Sequence, residues 1–178
     1  LISDVEGNFV VVDSKGETVW HRNILGVVTS SAVVGDVNDD CRLDVIVTSF
    51  YDGRDGVGRV YVYGFDGETG SDLPGFPKSF VDGGGTGIAV QPLLVDLFGK
   101  EDQSLKWKDV EKYMKEKKGK KGGERGLQIV LPIGNDIFVI SGFTGCISTF
   151  HVGSHMYSSV LAGDISGTGK LELVVGTM

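Results

Sequence analysis

One short pattern occurs three times in this chain of 178 residues, and it constrains the fold more than any other feature. Each copy has an apolar run that ends in Asp or leads up to one, a polar loop, and a second run rich in Val, Ile and Leu. The first runs are 31–36, 89–96 and 158–164, and the second runs are 43–48, 127–131 and 171–176. Short β-branched runs around a turn that opens with Asp predict β-hairpins. The chain is therefore predicted to be an array of repeated hairpins.

A second recurring phrase predicts further strands. It is rich in β-branched and aromatic residues, and its copies are 7–13, 58–67 and 134–142. Four strands in a unit of roughly 60 residues is the arithmetic of a propeller blade. The predicted fold is all-β, with about three four-stranded antiparallel sheets that are blades of a larger β-propeller.

The repeats divide the chain into four parts. Residues 1–25 are predicted to end one blade, 26–80 and 81–152 to form a blade each, and 153–178 to start another. A propeller closes with at least about four blades. We therefore expect this chain to be an internal fragment whose remaining blades are supplied by further sequence.

The blade at 81–152 carries an insertion at 99–126. Ser104 can cap a helix that runs to about Lys118, and the Lys-rich, Gly-rich stretch 117–123 has the composition of a linker. One interpretation is that the helix docks to a partner protein or to an anionic surface. The other is that it is a solvent-exposed addition that packs on the blade, and we favour this second interpretation.

The residues with the most specific chemistry lie in the first hairpin loop. Asp36, Asn38, Asp40 and Asp44 occupy positions 1, 3, 5 and 9, and Arg42 at position 7 can add its backbone carbonyl. Ca²⁺ takes six to eight oxygen ligands at about 2.3–2.6 Å. The alternating oxygens predict a calcium site, with an ordinary exposed Asp-rich turn as the alternative.

This loop is not an EF-hand. An EF-hand has Glu at its twelfth position, where this chain has Val47, and it lies between helices rather than strands. The sixth position usually takes Gly because the chain turns sharply there. Cys41 at that position predicts backbone strain or reduced affinity.

The other two loops are weaker candidates. The third loop offers Asp164, Ser166, Thr168 and Glu172, with less charge and therefore weaker predicted calcium binding. In the second loop Phe98 stands where a ligand is needed, so no metal is expected there.

These features resemble a known family. The loop 36–44 between apolar strands is similar to the calcium-binding FG-GAP repeats of integrin-α-like propellers. More narrowly, 61–70, 73–77 and 157–162 resemble the defective-in-exine-formation proteins of plants and protists. The resemblance supports the ligand assignments in both loops, with less weight for Asp164 and Glu172.

The resemblance also implies a function. Its members are secretory-pathway or cell-surface proteins, commonly anchored in a membrane outside the propeller, that act in adhesion or in surface and wall assembly. The implied partners are a protein or glycan ligand at the cell surface and the remaining blades of the same protein. No nucleic acid is expected, because the net charge is −7 and the Lys and Arg residues concentrate in the insertion.

We predict no catalytic residues and no enzyme activity. The alternative is a quinone-dependent dehydrogenase propeller, suggested by the Asp, Gly and Trp of the phrase 12–20, although that phrase occurs once. His151 and His155 have zinc-like spacing only in a helix, and the Gly and Ser between them favour a turn. A purely structural spacer is the other alternative.

Overall fold

A computed structural model describes residues 2–82, 90–97 and 126–177. These residues form thirteen β-strands in four antiparallel sheets and contain no helix. The prediction of an all-β chain with several antiparallel sheets is thus confirmed. The predicted helix from Ser104 to about Lys118 lies outside the described residues, and none of the described residues forms a helix that could cross a membrane.

The strands follow one another in space in the same order as in the chain. The first sheet contains β1 (Ile2–Ser3), β2 (Asn8–Val12) and β3 (Thr18–Asn23). The second contains β4 (Val33–Gly35), β5 (Asp44–Asp52), β6 (Gly58–Asp66) and β7 (Lys78–Val81). The third contains β8 (Leu93–Val95), β9 (Gln128–Ile133), β10 (Asp136–Ser141) and β11 (Ile147–His151). The fourth contains β12 (Leu161–Gly163) and β13 (Glu172–Val174).

The three repeated hairpins share one register. In each of them the last residue of the first strand pairs with the first residue of the second strand. The pairs are Gly35–Asp44, Val95–Gln128 and Gly163–Glu172. Equivalent positions can therefore be compared directly in the first and third loops and at the two ends of the second.

Successive sheets pack against each other through separate apolar clusters. Phe9 and Trp20 of the first sheet lie against Phe65 of the second. Phe80 of the second sheet contacts Phe138 of the third, with ring centroids 4.5 Å apart. A further cluster joins the third sheet to Val160 and its neighbours beside the fourth. The second and third sheets are thus covered on both faces, which explains why β9 is buried along its whole length.

Trp20 joins the first sheet to the turn after β6. Its side chain is 8% exposed, and its indole Nε1 donates a hydrogen bond to the carbonyl of Gly67 at 2.9 Å. Arg22 also donates from Nε to the carbonyl of Gly70. The Trp of the phrase 12–20 is therefore a packing residue between sheets.

Candidate metal centre

The first hairpin loop curls around the carboxylate of Asp36. Its Oδ1 accepts a hydrogen bond from the backbone N–H of Asp40 at 3.0 Å, and its Oδ2 accepts one from Cys41 at 2.9 Å. The Oδ1 of Asn38 also accepts from Asp40, at 3.1 Å. These bonds turn the side chains at positions 1 and 3 toward the inside of the loop.

Asp40 continues this network toward the second strand. Its Oδ1 accepts from the backbone N–H of Arg42 at 2.8 Å, and its Oδ2 accepts from the amide of Asn38 at 3.1 Å. The guanidinium of Arg42 points away and pairs with Glu68. Only the backbone carbonyl of Arg42 is therefore suited to serve as a ligand.

Asp44 closes the loop from inside the protein. It is 0% exposed, and its Oδ2 accepts a hydrogen bond from the backbone N–H of Val37 at 3.0 Å. Its Oδ1 is buried and has no hydrogen-bond partner. Burial, reinforced by the nearby charges of Asp40 and Asp36, raises the pKa of the Asp44 carboxyl to about 6, although the backbone N–H groups of Val37 and Asn38 lower it.

Two residues of this loop adopt the left-handed backbone conformation. Asp39 has φ of 62° and Cys41 has φ of 67°. At the equivalent positions 4 and 6 of the third loop, Gly167 has φ of 68° and Gly169 has φ of 78°. Cys41 therefore has a backbone conformation that residues with a Cβ adopt at a cost, which is consistent with the strain predicted there.

The third loop repeats the hydrogen bonds of the first. The carboxylate of Asp164 accepts from the backbone N–H groups of Thr168 and Gly169 at 2.9 and 2.8 Å. Glu172 accepts from the N–H of Ile165 at 2.6 Å and from the hydroxyl of Ser166. The loop is exposed, and the Ser166 hydroxyl, followed by backbone N–H groups, lowers the pKa of Glu172.

The two loops differ in how well their last carboxylate is satisfied. Both oxygens of Glu172 have hydrogen-bond donors, so neither of them is left unsatisfied. Asp44 keeps one buried oxygen without a donor, and a buried acceptor without a partner costs roughly 1–3 kcal/mol, more when charged. A cation at the first loop would remove that cost. The donors are all oxygens, which suits Ca²⁺.

The carboxylates alone do not form a metal centre. Within the described ranges, no group of three or more His, Cys, Asp or Glu side chains is arranged to hold a metal ion. A cation in the first loop would therefore also need the amide oxygen of Asn38 and backbone carbonyls. Ionised carboxylates accept about four hydrogen bonds, so Asp36 and Asp40 retain capacity beyond their present partners.

The second loop is closed by a residue that sequence analysis did not single out. The Oε1 of Gln128 accepts a hydrogen bond from the backbone N–H of Leu97 at 2.7 Å. Gln128 has the same register as Asp44 and Glu172, and this alignment of the repeats is the signal that could have identified it.

The histidines do not form a common site. The Nδ1 of His151 lies 2.8 Å from the carboxylate of Asp136 across β10 and β11. His151 ends β11 and the chain bends at 153–154, so the predicted turn is confirmed. His155 stacks on Tyr157 with ring centroids 4.4 Å apart. The glycine-rich stretch 83–87 lies outside the described residues.

Comparison with known proteins adds no assignment. No protein-family model matches the chain, and no curated protein matches it.

Proposed function

We propose that this chain is a segment of a calcium-binding β-propeller of the FG-GAP, integrin-α-like kind, and that it acts as a binding module at the cell surface. The assignment of blades is supported by the order of the four sheets, which pack against each other in the order of the chain. Within each sheet, strands that are adjacent in sequence are hydrogen-bonded neighbours. The parts 1–25, 26–80, 81–152 and 153–178 are the proposed blade divisions. Each of them contains one of the four sheets, except that β7 ends at Val81.

The observation that carries the calcium proposal is the buried, unpartnered Oδ1 of Asp44. A cation would be held by the side chains of Asp36, Asn38, Asp40 and Asp44 and by the carbonyl of Arg42. Calcium would supply charge neutralisation in this loop and no chemistry of its own. Since the carboxylates of Asp36, Asp40 and Asp44 repel one another, neutralising them stabilises the folded hairpin. The third loop, from Asp164 to Glu172, is proposed as a weaker site.

Thermal unfolding in chelator and in calcium tests the metal. We expect calcium to raise the melting temperature of the wild-type chain, because binding to the folded state stabilises it by RT ln(1 + [Ca²⁺]/Kd). Asp36→Ala combined with Asp40→Ala is expected to abolish this rise. An unchanged wild-type melting curve contradicts the proposal.

A matched control removes the carboxylate of another turn that begins with Asp. Asp13 accepts backbone hydrogen bonds from Lys15 and Glu17 at 2.8 and 2.9 Å, much as Asp36 does in its own loop. Asp13→Ala removes this turn and lowers stability, but the calcium-induced rise should remain. Loss of the rise in this variant as well would mean that calcium acts on the chain as a whole.

The proposed role is non-enzymatic recognition. The proposed partners are a protein or glycan ligand at the cell surface and further blades of the same protein, with any membrane anchor outside this segment. The proposed location is the secretory pathway, the extracellular space or the cell surface. The single occurrence of the phrase 12–20 favours this over a quinone-dependent enzyme, in which the phrase would recur in most blades.

A further inference from the structure

The three hairpin loops share one hydrogen bond. In each loop, the side chain of the residue that begins the second strand accepts a bond from the backbone N–H at position 2. The three bonds are Val37 N to Asp44 Oδ2 at 3.0 Å, Leu97 N to Gln128 Oε1 at 2.7 Å, and Ile165 N to Glu172 Oε2 at 2.6 Å. Two of the acceptors are carboxylates and one is an amide.

The amide of Gln128 is satisfied at both ends. Its Oε1 accepts from Leu97, and its Nε2 donates to the carbonyl of Gly126 at 2.8 Å. The side chain is 4% exposed, so water has little access to either group. Asp44, in the same register, has only acceptors, and one of them stays without a donor.

We propose that Gln128 is a positioning residue that closes the second loop without a cation. The Nε2–H of Gln128 forms a hydrogen bond within the protein. Beside Asp44, a cation would be needed to satisfy the second side-chain oxygen. The half of this comparison that concerns Asp44 rests on the proposed calcium function, whereas the role of Gln128 rests on its own two hydrogen bonds.

The position of Gln128 in the chain indicates what its two hydrogen bonds do. Leu97 lies two residues after β8 ends and 31 residues before Gln128, and Gly126 lies two residues before Gln128. Gln128 bonds to both, so it links the residues that follow β8 to those that precede β9. A longer loop costs more entropy to close, and a neutral anchor at its base offsets that cost whether or not calcium is present.

Glu at this position is the decisive variant, because its protonation state can be chosen. A protonated carboxylic acid has one donor and one acceptor, as the amide does, whereas an ionised carboxylate has acceptors only. Ionised Glu would face the carbonyl of Gly126 and lose that bond. We expect Gln128→Glu, in chelator, to melt close to wild type at pH 5 and well below it at pH 8.

The control is Gln128→Ala, which removes both bonds at every pH. Its deficit relative to wild type should be the same at pH 5 and pH 8, whereas the deficit of Gln128→Glu should be at least about 5 °C larger at pH 8. All three chains keep Asp44, so its own titration cancels in these differences. Equal deficits for Gln128→Glu at the two pH values overturn the proposal.

Amide hydrogen exchange in the wild-type chain is a second measurement that needs no variant. In chelator, the N–H of Leu97 should be protected, and calcium should change its exchange little. The N–H of Val37 should become more protected when calcium is added. Fast exchange at Leu97 that calcium slows would overturn the role of Gln128. An absence of any calcium effect at Val37, with Leu97 protected, would instead contradict the proposed calcium function alone.

Discussion

Asp44 accepts a hydrogen bond from the backbone N–H of Val37 at 3.0 Å, and this contact joins the candidate metal loop to the packing between two sheets. The Val37 side chain is 0% exposed and belongs to the apolar cluster between the second and third sheets. Its carbonyl lies so close to Gly126 and Gly142 that neither has room for a Cβ. Neutralising Asp44 should therefore stabilise both the first hairpin and its contact with the third sheet, because the same loop packs against that sheet.

Replacing Asp44 with Asn should separate the metal from the hydrogen bond. The amide oxygen of Asn keeps the bond to Val37, and the buried negative charge beside Asp36 and Asp40 disappears. We expect Asp44→Asn, in chelator at pH 7.5, to melt closer to the wild-type temperature than Asp44→Ala does and to lose the calcium-induced rise. Asp44→Ala should melt lower, because the N–H of Val37 then has no acceptor. A full calcium response in Asp44→Asn would contradict the role of Asp44 as a ligand.

The metal-free chain should lose stability as the pH rises through 6. The pKa of Asp44 is raised to about 6 when the chain is folded and is about 3.9 when it is unfolded, so the folded state holds more protons between these values. The stabilisation is complete below the unfolded value and is lost as the pH rises through the folded one. Between pH 5 and pH 7.5 the free energy of unfolding should fall by about 1 kcal/mol relative to Asp44→Asn. Chemical unfolding in chelator measures this, and parallel pH profiles for the two chains would contradict it.

The sequence predicted the paired strands because its repeats are visible at fixed positions. The runs before and after the loops became β4 with β5, β8 with β9, and β12 with β13. Alternate polar residues also predicted that Asp36, Asn38 and Asp40 turn into one loop, as their mutual hydrogen bonds show. Both inferences use local spacing, which the sequence displays directly.

Contacts between distant parts of the chain could not be predicted in the same way. The burial of Asp44 depends on the neighbouring sheet, so nothing in 36–44 reveals that one of its oxygens lacks a donor. Gln128 is separated from Leu97 by the insertion, which hides their pairing. The left-handed conformation of Asp39 was also missed, although Gly167 at the same position of the third loop is its signal.

Replacing Cys41 with Gly should stabilise the chain. Cys41 has φ of 67°, where a residue with a Cβ pays roughly 1–2 kcal/mol, while Gly pays more chain entropy on folding. The net gain should be about 0.5–1 kcal/mol, or a few degrees in melting temperature. Cys41→Ser is the control, because it removes the thiol and keeps the strain. Equal melting temperatures for the two variants would show that backbone conformation is not limiting at this position.

Adding a methyl group at Gly142 should weaken the contact between the first loop and the third sheet. A Cβ at Gly142 would lie 2.3 Å from the carbonyl oxygen of Val37 and 2.6 Å from its Cβ. These atoms belong to the packed loop and cannot move without disturbing it, and such overpacking typically costs about 1–3 kcal/mol. Gly142→Ala should therefore lower the melting temperature by several degrees.

The matched control for this variant is Gly163→Ala. Gly163 lies in β12, and a Cβ there meets nothing within 4 Å, so its stability should change little. The calcium response of Gly142→Ala shows whether the substitution disturbs the first loop itself or only weakens the packing between the sheets. Because Val37 links Asp44 to the third sheet, Gly142→Ala should also reduce the calcium-induced rise, whereas Gly163→Ala should keep it. Equal calcium responses in the two variants, with Gly142→Ala destabilised, would mean that the loop binds its cation independently of the neighbouring sheet.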